Sequence, residues 1–149
     1  MSGAATHDRF TEATRRAIAL AKQSVLDYRH THITPEHILL GLLACESPTV
    51  LVALRASKAT PEQIRALLLH HLRPGAEGIP EDLVTFSERG KRVVEAAKEE
   101  SVRVKALQVG PEHLLLGLTK VTHTVCGAVL RAVGISTESV RAAVSAPQE

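Results

Sequence analysis

The side chains with the clearest chemical potential are two glutamates in matching contexts. Glu36 lies in the segment TPEHILLGL at positions 34–42, and Glu112 lies in GPEHLLLGL at 110–118. The proline in each segment, placed just after a cap residue, predicts the start of a helix. A carboxylate at this position can take part in a binding site. The helix dipole also favours it, by about 0.3–1 kcal/mol, so a binding role and a structural role both remain open.

The only two phenylalanines of the chain, Phe10 and Phe86, also stand at matching positions. Each precedes a hydroxyl residue, Thr11 or Ser87, that can cap the helix that follows. A phenylalanine placed before a cap can pack onto the first turn as a hydrophobic staple. It can equally remain available as an aromatic anchor for a partner protein. Both interpretations predict the same order of residues, and both remain open.

The eight histidines raise the question of a metal site. His30, His32 and His37 straddle a predicted helix start instead of standing one turn apart on a single helix. No cysteine lies close to them in the sequence to complete a tetrahedral set, so a zinc site is not favoured. For His37 and the matching His113, we expect a partly buried imidazole that is bonded to local backbone.

Known catalytic and cofactor motifs are missing from the sequence. It contains no GxxxxGK[ST] phosphate loop and no GxGxxG dinucleotide motif, so nucleotide binding has no support. It also lacks a GxSxG nucleophile elbow and an SxxK motif. We therefore assign no catalytic residue, metal or cofactor, and we predict a chain that is not an enzyme.

Composition narrows the classes of partner. The chain has 149 residues, of which 44% are hydrophobic, enough for one domain with a core. A net charge of +2 and an aromatic content of 2% do not provide the basic stacking surface of a nucleic-acid-binding protein. The apolar runs are shorter than the roughly 20 residues that span a bilayer, and the N-terminus has no apolar signal core. We expect a cytoplasmic protein with Cys45 and Cys126 as small buried helix residues.

The two glutamate segments belong to an internal repeat with an offset of 76 residues (112 − 36) that needs no gap. Each copy is predicted to contain four helices. The sequence therefore predicts an all-α fold, an eight-helix bundle made of two four-helix repeats related by a pseudo-twofold axis. The predicted boundaries are repeat 1 at about 10–72, a Gly- and Pro-containing linker at 73–85 and repeat 2 at about 86–146, within a single domain over 1–149.

Cap residues and apolar spacing predict where the helices begin and end. The predicted helices of repeat 1 cover about 11–28, a stretch beginning at 34, 48–56 and 61–72, and those of repeat 2 cover 87–104, a stretch beginning at 110, 124–133 and a stretch beginning at 136. Gly41 and Gly117 lie inside helices at matching positions, where each costs about 1 kcal/mol relative to alanine. We expect close helix packing at both positions.

These features together resemble a known family. Phe-Thr-Glu at 10–12 before an amphipathic helix, followed by Glu-His-x-Leu-Leu-Gly-Leu and then a second copy, is similar to the Clp N-terminal repeat, the ClpC type more than the ClpA or ClpB type. The resemblance covers about residues 9–146. In this family the N-terminal domain sits on a ring-shaped ATPase that feeds a serine protease, and it receives substrates and adaptor proteins. The resemblance implies a protein-binding module of the Clp system.

The resemblance also implies ligand sites. ClpC-type domains bind phosphorylated arginine as a degradation tag. By position, the tag sites would combine Thr11 with Glu36 and Ser87 with Glu112. A hydroxyl and the amides of a helix start suit a phosphate, and a carboxylate suits a guanidinium. Two such sites in one molecule would add avidity for clients that carry several tags.

Two further implications concern neighbouring residues. Arg89 keeps an arginine that is common in ClpC-type domains, whereas repeat 1 has Ala13 there, which implies a weaker phosphate pocket in repeat 1. Some ClpC-type domains bind cyclic-peptide antibiotics, and the corresponding surface here would include Phe10 and Phe86. The proline before each Glu-His differs from the threonine that is frequent in the family, and it changes the local hydrogen-bond donors.

The sequence ends after the second repeat, without an ATPase module or a protease-contact segment. We expect a free-standing Clp-N-like protein of the bacterial cytoplasm, with a domain cut from a longer unfoldase as the alternative. A free-standing copy would deliver clients, dock on the unfoldase itself, compete with its N-domain for adaptors as a decoy, or sequester antibiotic peptides. The other classes considered are an enzyme with an unrecognised site and a purely structural or oligomerisation role.

Overall fold

The helices begin and end where cap residues stand. The computed structural model describes residues 9–55 and 57–145, and over these ranges it contains eight α-helices. Repeat 1 contains α1 (Glu12–Asp27), α2 (Pro35–Cys45), α3 (Pro48–Arg55) and α4 (Pro61–His70), and repeat 2 contains α5 (Glu88–Arg103), α6 (Pro111–Thr119), α7 (Val125–Ala132) and α8 (Thr137–Ser145). The remaining elements are strands β1 (His32–Ile33) and β2 (Thr85–Phe86) and a 3₁₀ turn at Glu81–Leu83. The prediction of an all-α, eight-helix fold is confirmed.

The two longest helices show how local sequence fixes these ends. The Thr11 hydroxyl accepts from the Thr14 amide at 3.1 Å at the start of α1, and the Ser87 hydroxyl accepts from the Gly90 amide at 3.0 Å at the start of α5. Gly134, with a φ of 84°, follows the end of α7 in the left-handed conformation that stops a helix. The largest difference from a predicted end is in α4, which stops at His70 instead of residue 72, and the predicted end of α3 at residue 56 lies outside the described ranges.

The extended segments that precede the helices are exchanged between the repeats. Phe10 pairs with Val109 in a parallel bridge, and Phe86 pairs with Ile33 across β1 and β2. The Thr11 amide donates to the Val109 carbonyl at 3.1 Å, and its counterpart at position 87 donates to the Ile33 carbonyl at 3.0 Å. A shift of 76 residues converts one pairing into the other. The two repeats are therefore related by a pseudo-twofold axis that passes between these segments.

Gly41 and Gly117 mark the closest helix crossings. A Cβ atom on Gly41 would overlap the backbone oxygen of Ala17 in α1, and one on Gly117 would overlap that of Val93 in α5. The same crossing, of α1 over α2 and of α5 over α6, thus occurs once in each repeat. The close packing that the sequence predicted at these two glycines is confirmed.

The hydrophobic core is shared by the two repeats. Helices α2 and α6 contact each other, and each also contacts helices of the opposite repeat. The buried apolar residues of both repeats form one continuous cluster. Within the described ranges, no single helix is long and apolar enough to cross a membrane, and the pair α2 and α3 meets those criteria only with a bend of 104° between them.

Candidate functional site

Three helix starts converge on a surface cavity of about 640 Å³. One wall comes from the beginning of α2, the opposite wall from the first turn of α5, and the end wall from the segment that leads into α7. We call this cavity the junction cavity, because α2 belongs to repeat 1 whereas α5 and α7 belong to repeat 2. Its lining residues are Thr34, Pro35, Glu36, Ser87, Glu88, Arg89, Arg92, His123, Thr124 and Val125.

Glu36 supplies the acidic wall and also closes a helix end. Its Oε2 accepts a hydrogen bond of 2.9 Å from the Cys126 amide in the first turn of α7. Both roles that the sequence left open are therefore compatible: the carboxylate satisfies an orphan amide of a neighbouring helix, and it faces a cavity. Among the described residues, its Oε1 forms no hydrogen bond. One carboxylate oxygen remains available to a ligand.

The structure exchanges the pairing that the family resemblance implied. Glu36 shares the junction cavity with Ser87, and Thr11 hydrogen-bonds to Val109, close to Glu112 in sequence. The combinations of Thr11 with Glu36 and of Ser87 with Glu112 stay predictions, whereas the structure places Ser87 beside Glu36. The physical reason is the exchange of extended segments, which carries each cap residue to the opposite repeat.

Both predicted hydroxyls already use their protons. Ser87 Oγ donates to the Ile33 carbonyl at 3.3 Å while it caps α5. Thr14 Oγ1 donates to the Val109 carbonyl at 2.8 Å, so Thr11 Oγ1 must be the donor in its 2.8 Å contact with Thr14 Oγ1. Neither hydroxyl has a proton left for a phosphate.

Two cationic side chains line the α5 side of the junction cavity. Arg89 and Arg92 are exposed, are separated by about one turn of α5, and have no ion-pair partner among the described residues. His123 lines the cavity from the segment that leads into α7. Sequence reasoning missed Arg92 and His123, although the spacing of Arg92 from Arg89 places both on one helix face. The cavity is therefore lined by the Glu36 carboxylate on its α2 side and by two arginines together with Glu88 on its α5 side.

The second cluster, around Glu112, is built differently. Glu112 Oε1 accepts from Thr49 Oγ1 at 3.2 Å, close to the start of α3. A side chain at Gly110 would overlap this carboxylate, whereas the matching position in repeat 1 carries Thr34. Ala13 stands where the junction cavity has Arg89. The Glu112 cluster therefore lacks one of the two arginines that line the junction cavity.

The two buried histidines act as backbone acceptors. His37 Nδ1 accepts from the Thr34 amide at 3.0 Å, and His113 Nδ1 accepts from the Gly110 amide at 2.8 Å. The predicted local bonding of both imidazoles is confirmed. His37 Nε2 lies 2.8 Å from His30 Nδ1, whose ring in turn contacts the Arg73 carbonyl at 2.7 Å. Burial, together with the nearby His30, lowers the pKa of His37 to about 4.

The remaining candidate residues have mixed surroundings. Phe10 and Phe86 pack against the core with part of each ring exposed, and Lys98 Nζ lies 5.9 Å from the centre of the Phe10 ring.

Over the residues that the structure describes, no group of three or more His, Cys, Asp or Glu side chains could hold a metal ion. Cys45 is partly buried and Cys126 is buried, and both are free thiols.

Comparison with known proteins gives the family of this architecture. The model of the Clp repeat (R) N-terminal domain matches residues 9–133 and 85–148. The chain belongs to the Clp repeat N-terminal domain family. A Clp relative from Bacillus subtilis, the negative regulator of genetic competence ClpC/MecB, is 32% identical over 133 residues, which is 89% of the chain. The chain spans only 16% of the length of that relative.

Solved Clp N-domains share the fold. The N-terminal domain of the ClpD chaperone from Arabidopsis thaliana is 28% identical, with a TM-score of 0.72 over 93% of this chain and 96% of that one. The Hsp104 N-terminal domain from Candida albicans has a TM-score of 0.73 at 17% identity, over 91% of this chain and 88% of that one. The latter similarity concerns the fold alone. The architecture of two exchanged repeats is therefore a Clp N-domain architecture.

Proposed function

We propose that this Clp N-domain is a non-catalytic protein-binding module that receives substrates or adaptors of a Clp unfoldase in the bacterial cytoplasm, and that its junction cavity binds phosphorylated arginine. The observation that carries the proposal is the division of this cavity between Glu36 of α2, which has one free carboxylate oxygen, and the two exposed arginines of α5. Phosphoarginine has the complementary division, because its guanidinium is cationic and its phosphoryl group is anionic.

Each end of the ligand has a matching group in the cavity. The free Oε1 of Glu36 can accept from the guanidinium, and the fixed bond from Oε2 to Cys126 keeps the carboxylate in place. The amides of Glu88 and Arg89, in the first turn of α5, have no intrahelical acceptor and can donate to the phosphate. The Arg89 guanidinium adds a charge-assisted contact to the same group.

The Glu112 cluster is proposed as a weaker second site. Its carboxylate is engaged by Thr49, and Ala13 provides no guanidinium for a phosphate. The exposed parts of Phe10 and Phe86 are proposed as the surface for cyclic-peptide antibiotics. A free-standing chain with these sites would serve as a regulator or decoy that competes with the N-domain of an unfoldase.

Isothermal titration calorimetry with free phosphoarginine tests the junction cavity. We expect Glu36→Gln or Arg89→Ala to weaken binding by about tenfold or more, because each removes a charge-assisted contact. Glu112→Gln is the matched control in the opposite repeat and should change the affinity much less. Arginine and inorganic phosphate, titrated separately, should bind more weakly than the intact ligand.

The absence of any heat of binding with the wild-type chain would overturn the assignment of phosphoarginine. Equal losses from Glu36→Gln and Glu112→Gln would instead overturn the ranking of the two clusters. An Arg89→Ala variant with unchanged affinity would remove the proposed phosphate contact.

A further inference from the structure

Repeat 2 contains a buried ion cluster that joins three of its helical segments. The Glu100 carboxylate, on α5, is only 2% exposed. It accepts from Arg141 of α8 at 2.6 and 3.2 Å and from Lys120, just after α6, at 2.8 Å. The Arg141 hydrogen bonds hold the pKa of Glu100 down at about 2, against the opposing effect of burial. In repeat 2 a buried carboxylate therefore occupies this position, and two cationic side chains contact it.

Repeat 1 keeps only one member of this cluster. The offset of 76 residues places Ser24 at the position of Glu100, Ala44 at that of Lys120 and Arg65 at that of Arg141. The arginine is retained, while the carboxylate and the lysine are both replaced by small residues. Arg65 is exposed and has no hydrogen bond or ion pair among the described residues.

An open cleft occupies the place of the missing side chains. It has a volume of about 230 Å³ and lies between α1, α2 and α4. Ser24, Ala44 and Arg65 all line it, and Leu20 and Leu40 form its apolar wall. The cleft is thus the repeat 1 counterpart of the space that the Glu100 and Lys120 side chains fill in repeat 2. We call it the Arg65 cleft.

We propose that the Arg65 cleft binds a carboxylate supplied by another polypeptide, either an acidic side chain or a chain terminus. Repeat 2 indicates the chemistry of the ligand, because Arg141, which matches Arg65, binds the Glu100 carboxylate there. The Ser24 hydroxyl bonds the Leu20 carbonyl at 3.2 Å through its proton, so Arg65 is the cationic donor of the cleft, with the polar groups of Gln23 and Tyr28 beside it. The apolar wall accommodates the methylene groups of an acidic side chain.

Asp27 limits the affinity of this site. Its carboxylate also lines the cleft, and its Oδ1 accepts from Gln23 Nε2 at 2.9 Å instead of pairing with Arg65. A second carboxylate in the cleft is therefore repelled by Asp27, and only one cation attracts it. Exposed single pairs of this kind are weak, so an isolated carboxylate binds in the millimolar range and contributes to a larger peptide contact.

NMR titration of the full chain tests this site with three small probes. N-acetylglutamate N-methylamide presents only a side-chain carboxylate, N-acetylalanine presents only a terminal one, and N-acetylglutamine N-methylamide is the neutral control. We expect saturable shifts of the Ser24 amide and the Arg65 Nε–H with at least one carboxylate probe and not with the neutral one. The probe that binds more tightly identifies the source of the carboxylate.

Charge variants give the proposal its sharpest test. Arg65→Gln should weaken binding about 2–5-fold, and Asp27→Asn should strengthen it by a similar factor. Arg103→Gln removes an exposed guanidinium of repeat 2 and should change nothing. The proposal is overturned if neither carboxylate probe shows saturable shifts, or if Arg65→Gln leaves the binding of both probes unchanged.

A second variant fills the cleft from within. Ser24→Glu combined with Ala44→Lys rebuilds the ion cluster of repeat 2 inside repeat 1, and it should abolish the probe shifts while the chain remains folded. Undiminished probe binding in this variant would show that the ligand lies elsewhere. Binding of phosphoarginine in the junction cavity should be unaffected by Arg65→Gln, so the two proposals can fail separately.

Discussion

At the scale of single residues, His37 connects the start of α2 to the linker. Its Nδ1 accepts from the Thr34 amide, so its proton must reside on Nε2, where it is shared with His30 Nδ1. The other ring nitrogen of His30 then donates to the Arg73 carbonyl. Protonation of His37 would direct an N–H group at the Thr34 N–H group. The neutral imidazole is therefore the form that this chain of bonds requires.

We predict that His37 makes the fold less stable under mildly acidic conditions. The pKa of His37 is about 4 in the folded chain, whereas its ordinary value, which we take for the unfolded chain, is 6.5. Between these values the unfolded chain binds the extra proton, so the free energy of unfolding falls as the pH decreases from 6.5 to about 4. His37→Gln should flatten this part of the profile, measured by urea denaturation at a series of pH values.

Glutamine is a suitable replacement because the chain uses it at the same helix position elsewhere. In the capping box of α4, Gln63 Oε1 accepts from the Thr60 amide at 2.8 Å. The variant therefore keeps the acceptor and removes the titration. A profile that coincides with that of the wild type between pH 4 and 6.5 would contradict the prediction.

The candidate site could be predicted from the sequence only in part. Glu36 stands out because its context is repeated, and Arg89 because the family resemblance implied it. His123 carries no comparable signal, since its contribution depends on where α7 begins relative to α2. The sequence could not indicate that Ser87 lies beside Glu36, because residues 76 positions apart in sequence look equivalent whichever repeat they contact. The spacing of residues in the sequence indicates what kind of site they can form, whereas tertiary packing decides which residues come together in it.

At the scale of helices, the crossing of α1 over α2 depends on a missing side chain. We predict that Gly41→Ala lowers the free energy of unfolding by about 1–3 kcal/mol, because the added methyl group overlaps the backbone of Ala17. This value is a net loss, because the overlap costs more than the gain of about 1 kcal/mol in helix propensity from glycine to alanine. Thermal or urea denaturation measures the difference.

Gly78→Ala is the control for this substitution. Its new Cβ would lie no closer than 3.8 Å to any neighbour, so the stability should remain nearly unchanged. If Gly41→Ala were as stable as the wild type, the backbones of α1 and α2 would have to separate easily. The close crossing would then not constrain the fold.

The helices were the most predictable elements, and the strands were missed. Caps such as Thr11 and Ser87 announce their helices in the local sequence, and the observed ends agree to within a few residues. Strands β1 and β2 contain two residues each, too few for any alternation of apolar and polar side chains. Their pairing also joins distant parts of the chain, which local patterns do not encode.

At the scale of the whole molecule, the two repeats depend on each other. We predict that separate fragments covering residues 1–76 and 77–149 unfold without a cooperative transition, because each loses half of the shared core and both strand partners. Mixing the fragments should restore helical circular dichroism and a cooperative melt. A fragment that melts cooperatively alone, near the temperature of the intact chain, would contradict this.

The exchange of extended segments has a consequence for how such a chain can change. Two copies of a single-repeat polypeptide could form the same reciprocal contacts as an isologous dimer, with identical surfaces on both sides. Joining the copies through the linker makes their association intramolecular. The two copies then no longer need to have the same sequence. Here one half keeps Glu100 sealed among cations, and the other half leaves Arg65 uncovered. Covalent fusion thus turns a symmetric assembly into a scaffold whose equivalent faces can specialise independently.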